Sequence, residues 1–352
     1  MNVLLISVRS DFGGGPRHLD QLVRGLPRNC KLYMAYPEDG EPYADLWKNN
    51  NRIKERLFVP YRKFSFKILW ELNRFIKKNK IEIIHSHGNG AGLYSRLLRL
   101  IGSNVKVVHT FHGISDEYSS KIKYLFSRFV GMALSPLADK YVAVSNGEKA
   151  LGVKWGFCKE SNCVVIYNGV VDEGLGENDI ESRKIVTISR YDYPKNMSLC
   201  LDVVRKMRND NVRFVWVGDG EDFASMRKAV EKESLPVDMV GFQTKPIGFL
   251  VKSSIYLSTS RFEGLPYALI EAASVGLPIV ATDVKGNNEV AINGENGLTF
   301  KTADDGACAL RRILNDKKEY ERMSKNSRKL YEERFTVKTM IDSLVELYYS
   351  II

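Results

Sequence analysis

Two glutamates eight positions apart, Glu263 and Glu271, stand in the otherwise mostly apolar run SRFEGLPYALIEAASVGLPIVATD, residues 260–283. Ionised carboxylates only accept hydrogen bonds, and a pair of them suits the hydroxyls of a sugar or a ribose. A second cluster, SRYDYPKN at 189–196, sets Arg190 and Lys195 five apart just ahead of a helical stretch. Cations at a helix start oppose its dipole, so a shared anionic ligand explains them better than surface decoration does. Charge-assisted hydrogen bonds are worth roughly 1.5–3 kcal/mol net against ~0.3–1 for a dipole contact, so such a pair would dominate the binding of a diphosphate. The turn DFGGGPRH, 11–18, lets backbone come close to a ligand at Gly13, Gly14 and Gly15 and opens a helix whose first N–H groups attract phosphate. It lacks the spacing of the GxGxxG dinucleotide fingerprint. Gly218 and Gly220 in VGDGED and Gly241 with Phe242 in VGF also follow apolar runs, and the Phe242 ring offers a face to a base.

Such residues act together only if a fold gathers them. The runs VLLISV, KLYMAYP, IEIIHSH, VKVVHTF and KYVAVS alternate with helical stretches at 16–26, 64–79 and 91–101. That alternation predicts an α/β architecture, a parallel sheet with helices on both faces. The polar, acidic stretch VVDEGLGENDIES at 170–182 reads as a linker. Beyond it the pattern restarts with KIVTISR, RFVWVGDG, VDMVGF, IYLSTS and PIVATD, and with helices at 196–209, 221–234, 245–252 and 266–276. Two doubly wound domains follow, 1–172 and 173–334, with further helical stretches at 303–333 and 335–350. Ligands of open parallel sheets sit at the carboxyl ends of the strands, where nearly all these polar and glycine-rich residues fall.

The E-x7-E pair inside S-R-x-E-G-L-P, the R-x4-K-N element Arg190–Asn196, the G-x-G pair Gly218 and Gly220, Asn168 and Gly169 in VVIYNGV, and the Gly-rich turn span almost the whole chain. In these motifs and their order the sequence resembles the retaining glycosyltransferases of family 4, which have the GT-B fold. The resemblance implies two Rossmann-like domains facing across a cleft: 1–172 for the acceptor, 173–334 for the nucleotide sugar, and a C-terminal helix at 335–352 packing back on the first. It implies that Glu263, with the backbone of Gly264 and Leu265, holds the transferred sugar and that Glu271 holds the ribose. Arg190 and Lys195 would meet the diphosphate with the backbone of Gly14 and Gly15, and Gly218, Gly241 and Phe242 would border the nucleotide. His112, in HTFHG, would stand by the anomeric centre, completing a catalytic set of His112, Glu263, Arg190 and Lys195. His18, His87 and Asn168 would lie on the acceptor side. The implied reaction moves a sugar from a nucleotide-diphosphate sugar, UDP among the candidate carriers, to a hydroxyl of a glycan or lipid-linked acceptor. Configuration is retained by front-face displacement, and the setting is bacterial polysaccharide or lipopolysaccharide synthesis. Ser189 stands where such enzymes usually have Gly, and KGNNE at 285–289 where G-G-x-x-E is common.

No two aspartates flank a single residue, so the D-x-D that would hold a magnesium ion on the diphosphate is absent and no metal or other cofactor is expected. Fixed cations take the metal's place as electrostatic stabilisers of the leaving group. His85, His87, His109 and His112 have spacings that a metal could use, but each pair ends a strand and reads instead as ligand or loop contacts. The net charge of +10 belongs to the first half, with 26 Lys+Arg against 15 Asp+Glu in residues 1–172 and 26 against 27 thereafter. That asymmetry points to an anionic partner, and basic amphipathic segments suit anionic lipid. Segment 63–80, with Ile68, Leu69, Leu72, Phe75 and Ile76 on one side, is needed as a crossover helix; segment 119–134, with Lys121, Lys123 and Arg128, is the one expected to touch lipid. Five scattered cysteines read as reduced thiols, MNVLLISV reads as a strand, and no apolar run nears the ~18 residues of a membrane span. A cytoplasmic protein at the inner face of the membrane is the expectation. Two rival readings are a sugar-nucleotide epimerase of the same fold and a nucleic-acid-binding protein; no nucleic-acid-binding module is recognisable, and no nucleic acid is expected.

Overall fold

The computed structural model describes residues 1–114, 121–176 and 179–352. The chain forms two compact units, Met1–Asn168 with Val337–Ile352, and Gly169–Thr336. Glu177 and Asn178 of the expected linker lie outside the described residues.

In unit 1 the strands are β1 (Asn2–Ser7), β2 (Lys31–Tyr36), β3 (Ile53–Phe58), β4 (Ile83–His87), β5 (Lys106–Thr110), β6 (Lys140–Ala143) and β7 (Cys163–Val165). They pair in parallel in the order β3-β2-β1-β4-β5-β6-β7. Between them run α1 (Gly14–Gly25), α2 (Tyr43–Lys48), α3 (Phe66–Asn79), α4 (Gly88–Leu100), α5 (Lys121–Ala133) and α6 (Asn146–Lys154). The central strands are continuous apolar runs because both of their faces are covered. On one face Leu69, Leu72, Phe75 and Ile76 of α3 and Tyr94 and Leu98 of α4 pack on Leu4, Ile6, Ile84 and Val107. On the other, Leu19, Leu22 and Val23 of α1 and Trp47 of α2 pack on Val3, Leu5 and Ile83.

Unit 2 contains β8 (Lys184–Ile188), α7 (Met197–Lys206), β9 (Arg213–Val217), α8 (Phe223–Lys232), β10 (Val237–Gly241), α9 (Ile247–Leu250), β11 (Ile255–Ser258), α10 (Tyr267–Ser274), β12 (Ile279–Thr282) and β13 (Gly297–Phe300). Its parallel sheet has the order β10-β9-β8-β11-β12-β13. Two helices follow, α11 (Ala303–Asn315) and α12 (Lys317–Arg334), and the last helix, α13 (Val337–Tyr349), belongs to unit 1. There Leu344 and Tyr348 join the α1 side of the core, and Gly25 of α1 lets Ile341 approach to where a Cβ would stand 2.8 Å from it.

Three strands were not expected from the sequence: β3, β7 and β13, each at the edge of its sheet. Strand β3 reads IKERLF, with Lys54 and Phe58 exposed, and β7 and β13 are only three and four residues long. The helical stretch 303–333 is two helices, broken at Asp316, whose carboxylate caps α12 by accepting the Glu319 N–H at 3.0 Å. No helix among the described residues is long and apolar enough to cross a membrane.

Candidate active site

Each sheet begins in its middle and winds outward in both directions, so the order reverses between β1 and β4 in unit 1 and between β8 and β11 in unit 2. Helices after the two reversing strands go to opposite faces, and the crevice left at their carboxyl ends is where open α/β sheets take ligands. The sequence-derived candidates cluster at these ends.

In unit 2 the chain leaves β8 through Ser189 and Arg190 into a 3-10 turn at Tyr193–Lys195, and Asn196, at φ 53, precedes α7. Gly218 and Gly220 let this segment close on the end of β9. A Cβ on Gly218 would stand 1.8 Å from the Ser189 carbonyl oxygen, and one on Gly220 2.6 Å from that of Tyr191. From the end of β11, Thr259 Oγ1 donates to the carbonyls of Lys195 and Asn196 at 3.2 and 3.1 Å, and the Arg261 N–H donates to that of Pro194 at 2.8 Å. The two loops form one body. Within it Lys195 Nζ donates to Glu263 Oε1 at 2.5 Å, and the same oxygen accepts Ser260 Oγ at 2.7 Å.

Glu271 is the fifth residue of α10 and half-buried, between Ile270 and Ala272 of the buried face. Both acids bear on one group: the phenol of Tyr256, which donates to the Ile188 carbonyl at 2.9 Å, is raised in pKa by burial and further by Glu263 and Glu271. Arg190 is 68% exposed and pairs with Asp192 at 3.0 Å, so the two cations have separate carboxylate partners here. Leu265 is buried, Gly264 half-buried and Phe242 exposed beside Gly241, around whose Cβ position space is open.

Sequence reasoning overlooked how the Glu263 loop is held. A Cβ on Gly286 would meet the carbonyl oxygens of Glu263 and Gly264 at 2.8 Å. Buried Asn287 donates to Thr282 Oγ1 at 3.0 Å, and Thr282 donates in turn to the Ser260 carbonyl at 2.6 Å. The close approach at Gly286 explains the glycine retained in KGNNE.

In unit 1 the ends of β1, β4 and β5 bring together His18, His87, His112 and Asn168. His18 Nδ1 lies 3.1 Å from Asn168 Oδ1, so the nitrogen carries the proton and donates; His87 Nδ1 and His112 Nε2 are 3.0 Å apart. Gly15 abuts the His112 ring, where a Cβ would stand 3.6 Å from its Cδ2. No side chain caps the start of α1, which Gly14 and Gly15 form. His112 holds φ 86, a left-handed backbone for a residue with a side chain. The buried carboxylate of Glu148 explains how that turn persists: it accepts the N–H groups of Gly113, Ile114 and, at 2.8 Å, Val144. Nothing in the sequence singled out Glu148; its only signal is an acid three residues after the Ser145 that caps α6.

The quartet His85, His87, His109 and His112 does not assemble. His85 bonds Tyr348 and Thr110 at 2.6 and 2.7 Å, and His109 bonds Ser86 at 3.0 Å. One group among the described residues has ligand spacing instead, His18, His87 and His112, with one nitrogen from each within 4.8 Å of the others. Burial lowers the pKa of His18 to about 4 and holds His87 and His112 well below the ordinary imidazole value. All three are therefore neutral near pH 7, able to donate at one nitrogen and accept at the other.

A pH dependence follows. A base whose folded pKa is depressed binds fewer protons folded than unfolded, so stability is full above the unfolded value of ~6.5 and falls as pH drops toward the folded one. For His18 the window runs from ~6.5 to about 4 and is worth about 3 kcal/mol at its acid end. Thermal melts between pH 7 and 4.5 are expected to show a steady fall, and a flat profile would contradict the neutral trio, of which His18 and His87 are buried.

Comparisons with known proteins agree with this arrangement. Residues 12–173 match the family model "Glycosyltransferase Family 4" and residues 176–330 match "Glycosyl transferases group 1". The protein is a glycosyltransferase with the two Rossmann-like sheets of the GT-B fold. It belongs to glycosyltransferase family 4. The O-antigen biosynthesis glycosyltransferase WbnH of Escherichia coli is 26% identical over 323 residues, 91% of this chain and 92% of that protein. The UDP-Gal:alpha-D-GlcNAc-diphosphoundecaprenol alpha-1,3-galactosyltransferase of the same organism is 25% identical, over 81% of this chain and 79% of its own. The crystal structure of HepE from Anabaena in complex with UDP superposes with a TM-score of 0.85 at 17% identity, covering all of both chains.

Proposed function

We propose that this chain is a retaining, metal-independent glycosyltransferase that moves a sugar from a nucleotide-diphosphate sugar, UDP being the favoured carrier, to a hydroxyl of a lipid-linked glycan. The observation that carries the reading is the Lys195–Glu263 pair, fixed by Ser260 and Thr259 where the second sheet reverses order. Lys195 and the exposed Arg190 offset the charge that builds on the departing diphosphate. Glu263 Oε1 is occupied by Lys195 and Ser260, which leaves Oε2 for a hydroxyl of the transferred sugar. Glu271 takes the ribose, and Gly241 and Phe242 border the base. On the acceptor side, neutral His112, oriented by His87, hydrogen-bonds at the reacting centre, with His18 and Asn168 behind it. Retention follows if the leaving phosphate takes the acceptor proton on the face it departs from. The names of two relatives, an O-antigen enzyme and a galactosyltransferase acting on a diphosphoundecaprenol-linked sugar, favour an acceptor of that chemical class. Such an acceptor places the protein at the cytoplasmic face of a membrane, reached through the basic first unit.

A donor panel followed by NMR of the product's anomeric configuration tests this reading. Nucleotide release that needs no acceptor would favour the epimerase, and an inverted product would remove the retaining mechanism. Transfer is expected to survive EDTA, because two cations of the protein do the work of a metal. Added zinc is expected to inhibit it, and EDTA to restore it, since His18, His87 and His112 offer three neutral nitrogens at a spacing that zinc can draw together. Loss of turnover in EDTA alone would overturn metal independence.

A further inference from the structure

The apolar side of segment 63–80, Leu69, Leu72, Phe75 and Ile76, is spent on the core of unit 1. On the opposite side of α3 stand two large aromatic side chains in solvent, Phe66 at 72% and Trp70 at 56% exposure. Phe66, Trp70, Arg74 and Lys77 follow one another at helical spacing of four, four and three, a single stripe with aromatics at one end and cations at the other. Residues 62–80 carry seven Lys or Arg against one acid, Glu71. Among the cations, Lys78 pairs with Glu55 at 2.6 Å and Lys67 only loosely with Glu71 at 3.8 Å.

The stripe has neighbours of the same kind. Helix α3 packs beside α4, and α4 and α5 both pack on the 3-10 turn Ser135–Leu137. Helix α4 ends in Leu100, 62% exposed, and α5 shows Leu125 and Phe129, four apart and 61% and 70% exposed, flanking the half-buried Arg128. Ser119, Ser120 and the side chains of Lys121 and Lys123 lie outside the described residues. Scattered apolar side chains on a surface need no explanation, but large exposed apolar side chains on α3, α4 and α5, aromatic on the first and last and bordered by cations, match the chemistry of a lipid interface.

We propose that the outer face of α3, α4 and α5 is an interfacial surface that seats unit 1 on an anionic phospholipid leaflet, with Phe66, Trp70 and Phe129 at the boundary of head groups and acyl chains and Arg74 and Lys77 among the phosphates. The charge selects this occupant: a basic stripe beside apolar side chains is complementary to an anionic bilayer, and the net +11 of residues 1–172 gives the attraction its sign over longer range. The proposal rests on the reading that the acceptor is lipid-linked, and it adds the surface by which such an acceptor is approached.

The chain supplies its own reporter. Of its four tryptophans, Trp47, Trp155 and Trp216 are buried, so an emission change on contact with lipid reports Trp70. Vesicles rich in phosphatidylglycerol are expected to shift the emission to the blue, and brominated acyl chains to quench it, while phosphatidylcholine vesicles do neither. Phe66→Ser with Phe129→Ser is expected to weaken vesicle co-sedimentation by about ten-fold or more, and raised salt to weaken it further. Transfer to a water-soluble acceptor analogue should be unchanged in that double variant, which separates failure of this surface from failure of the catalytic reading. Vesicle binding that leaves Trp70 emission unaltered would overturn the proposal, as would no binding at all. A dimer in sedimentation velocity that Trp70→Ser dissociates would assign the face to a second copy of the chain and overturn it too.

Discussion

Glu263→Ala and Lys195→Ala are each expected to reduce transfer by about two to three orders of magnitude while leaving a folded protein, because the first removes the acceptor that grips the transferred sugar and positions Lys195, and the second removes a preorganised cation facing the charge that develops on the leaving group. The two substitutions do different things. Without Lys195, Glu263 keeps its bond from Ser260 and the loop stays in place, but the diphosphate loses a fixed cation. Without Glu263, a partly buried ammonium is left with no counter-charge, and the Thr259 bonds still hold the backbone of the turn. Lys195→Ala should therefore lower kcat with little change in melting temperature, whereas Glu263→Ala should lower both, because an ammonium only 21% exposed is left without its counter-charge. Lys195→Arg, which keeps the charge and changes the shape, should recover part of the rate. Circular dichroism and single-turnover kinetics measure the two effects separately, and wild-type turnover in either alanine variant would remove the assigned roles.

Glu148→Ala is expected to act through structure, and as strongly. Its carboxylate is fully buried and satisfies the N–H groups of Gly113, Ile114 and Val144, two of them in the turn that carries His112. Alanine removes the carboxylate acceptor from two buried donors, the Ile114 and Val144 N–H groups, at ~1–3 kcal/mol each, and from the exposed Gly113 N–H, which water can satisfy, so a loss of about 2–6 kcal/mol is expected in unit 1. It also releases a backbone held at φ 86, so turnover should fall at temperatures where the variant is still folded. Glu148→Gln keeps one acceptor oxygen but turns an NH2 group toward a backbone N–H; it should fall between wild type and alanine in both stability and rate. A melting temperature within a degree of wild type for Glu148→Ala would show that the turn is held by other means.

The parts of the fold legible in the sequence are those where the physics is local. Central strands announce themselves because both faces are covered and nearly every side chain must be apolar, as in VLLISV. The strands β3, β7 and β13 escape because β3, IKERLF, is interrupted by three charged side chains, and β7 and β13, three and four residues long, are too short to show a pattern. Helix α3 was recognisable as a crossover helix from its buried stripe, but that same stripe concealed the exposed Phe66 and Trp70, which have no bearing on helix periodicity. The break at Asp316 inside 303–333 depends on one capping side chain in an otherwise helical run.

For the site, residue types and spacing on the chain were enough to single out Glu263, Glu271, Arg190, Lys195 and the glycine turns, because strand-loop-helix order places them at strand ends. Which partner each takes was decided by the tertiary structure. The fold joins Lys195 to Glu263 across 68 positions of sequence and His18 to Asn168 across 150. It gives His85 and His109 partners of their own and gathers His18, His87 and His112. It also recruits Glu148 and Asn287, whose work is to satisfy buried donors and loop contacts created only when the chain closes. Periodicity and strand-end chemistry are properties of neighbouring residues, so the sequence by itself determined two α/β units and the residues at their strand ends. Charge pairing, burial and the loss of water around a histidine depend on segments far apart in the chain, so only the tertiary structure decided which of those residues act together and which face of α3 is left exposed.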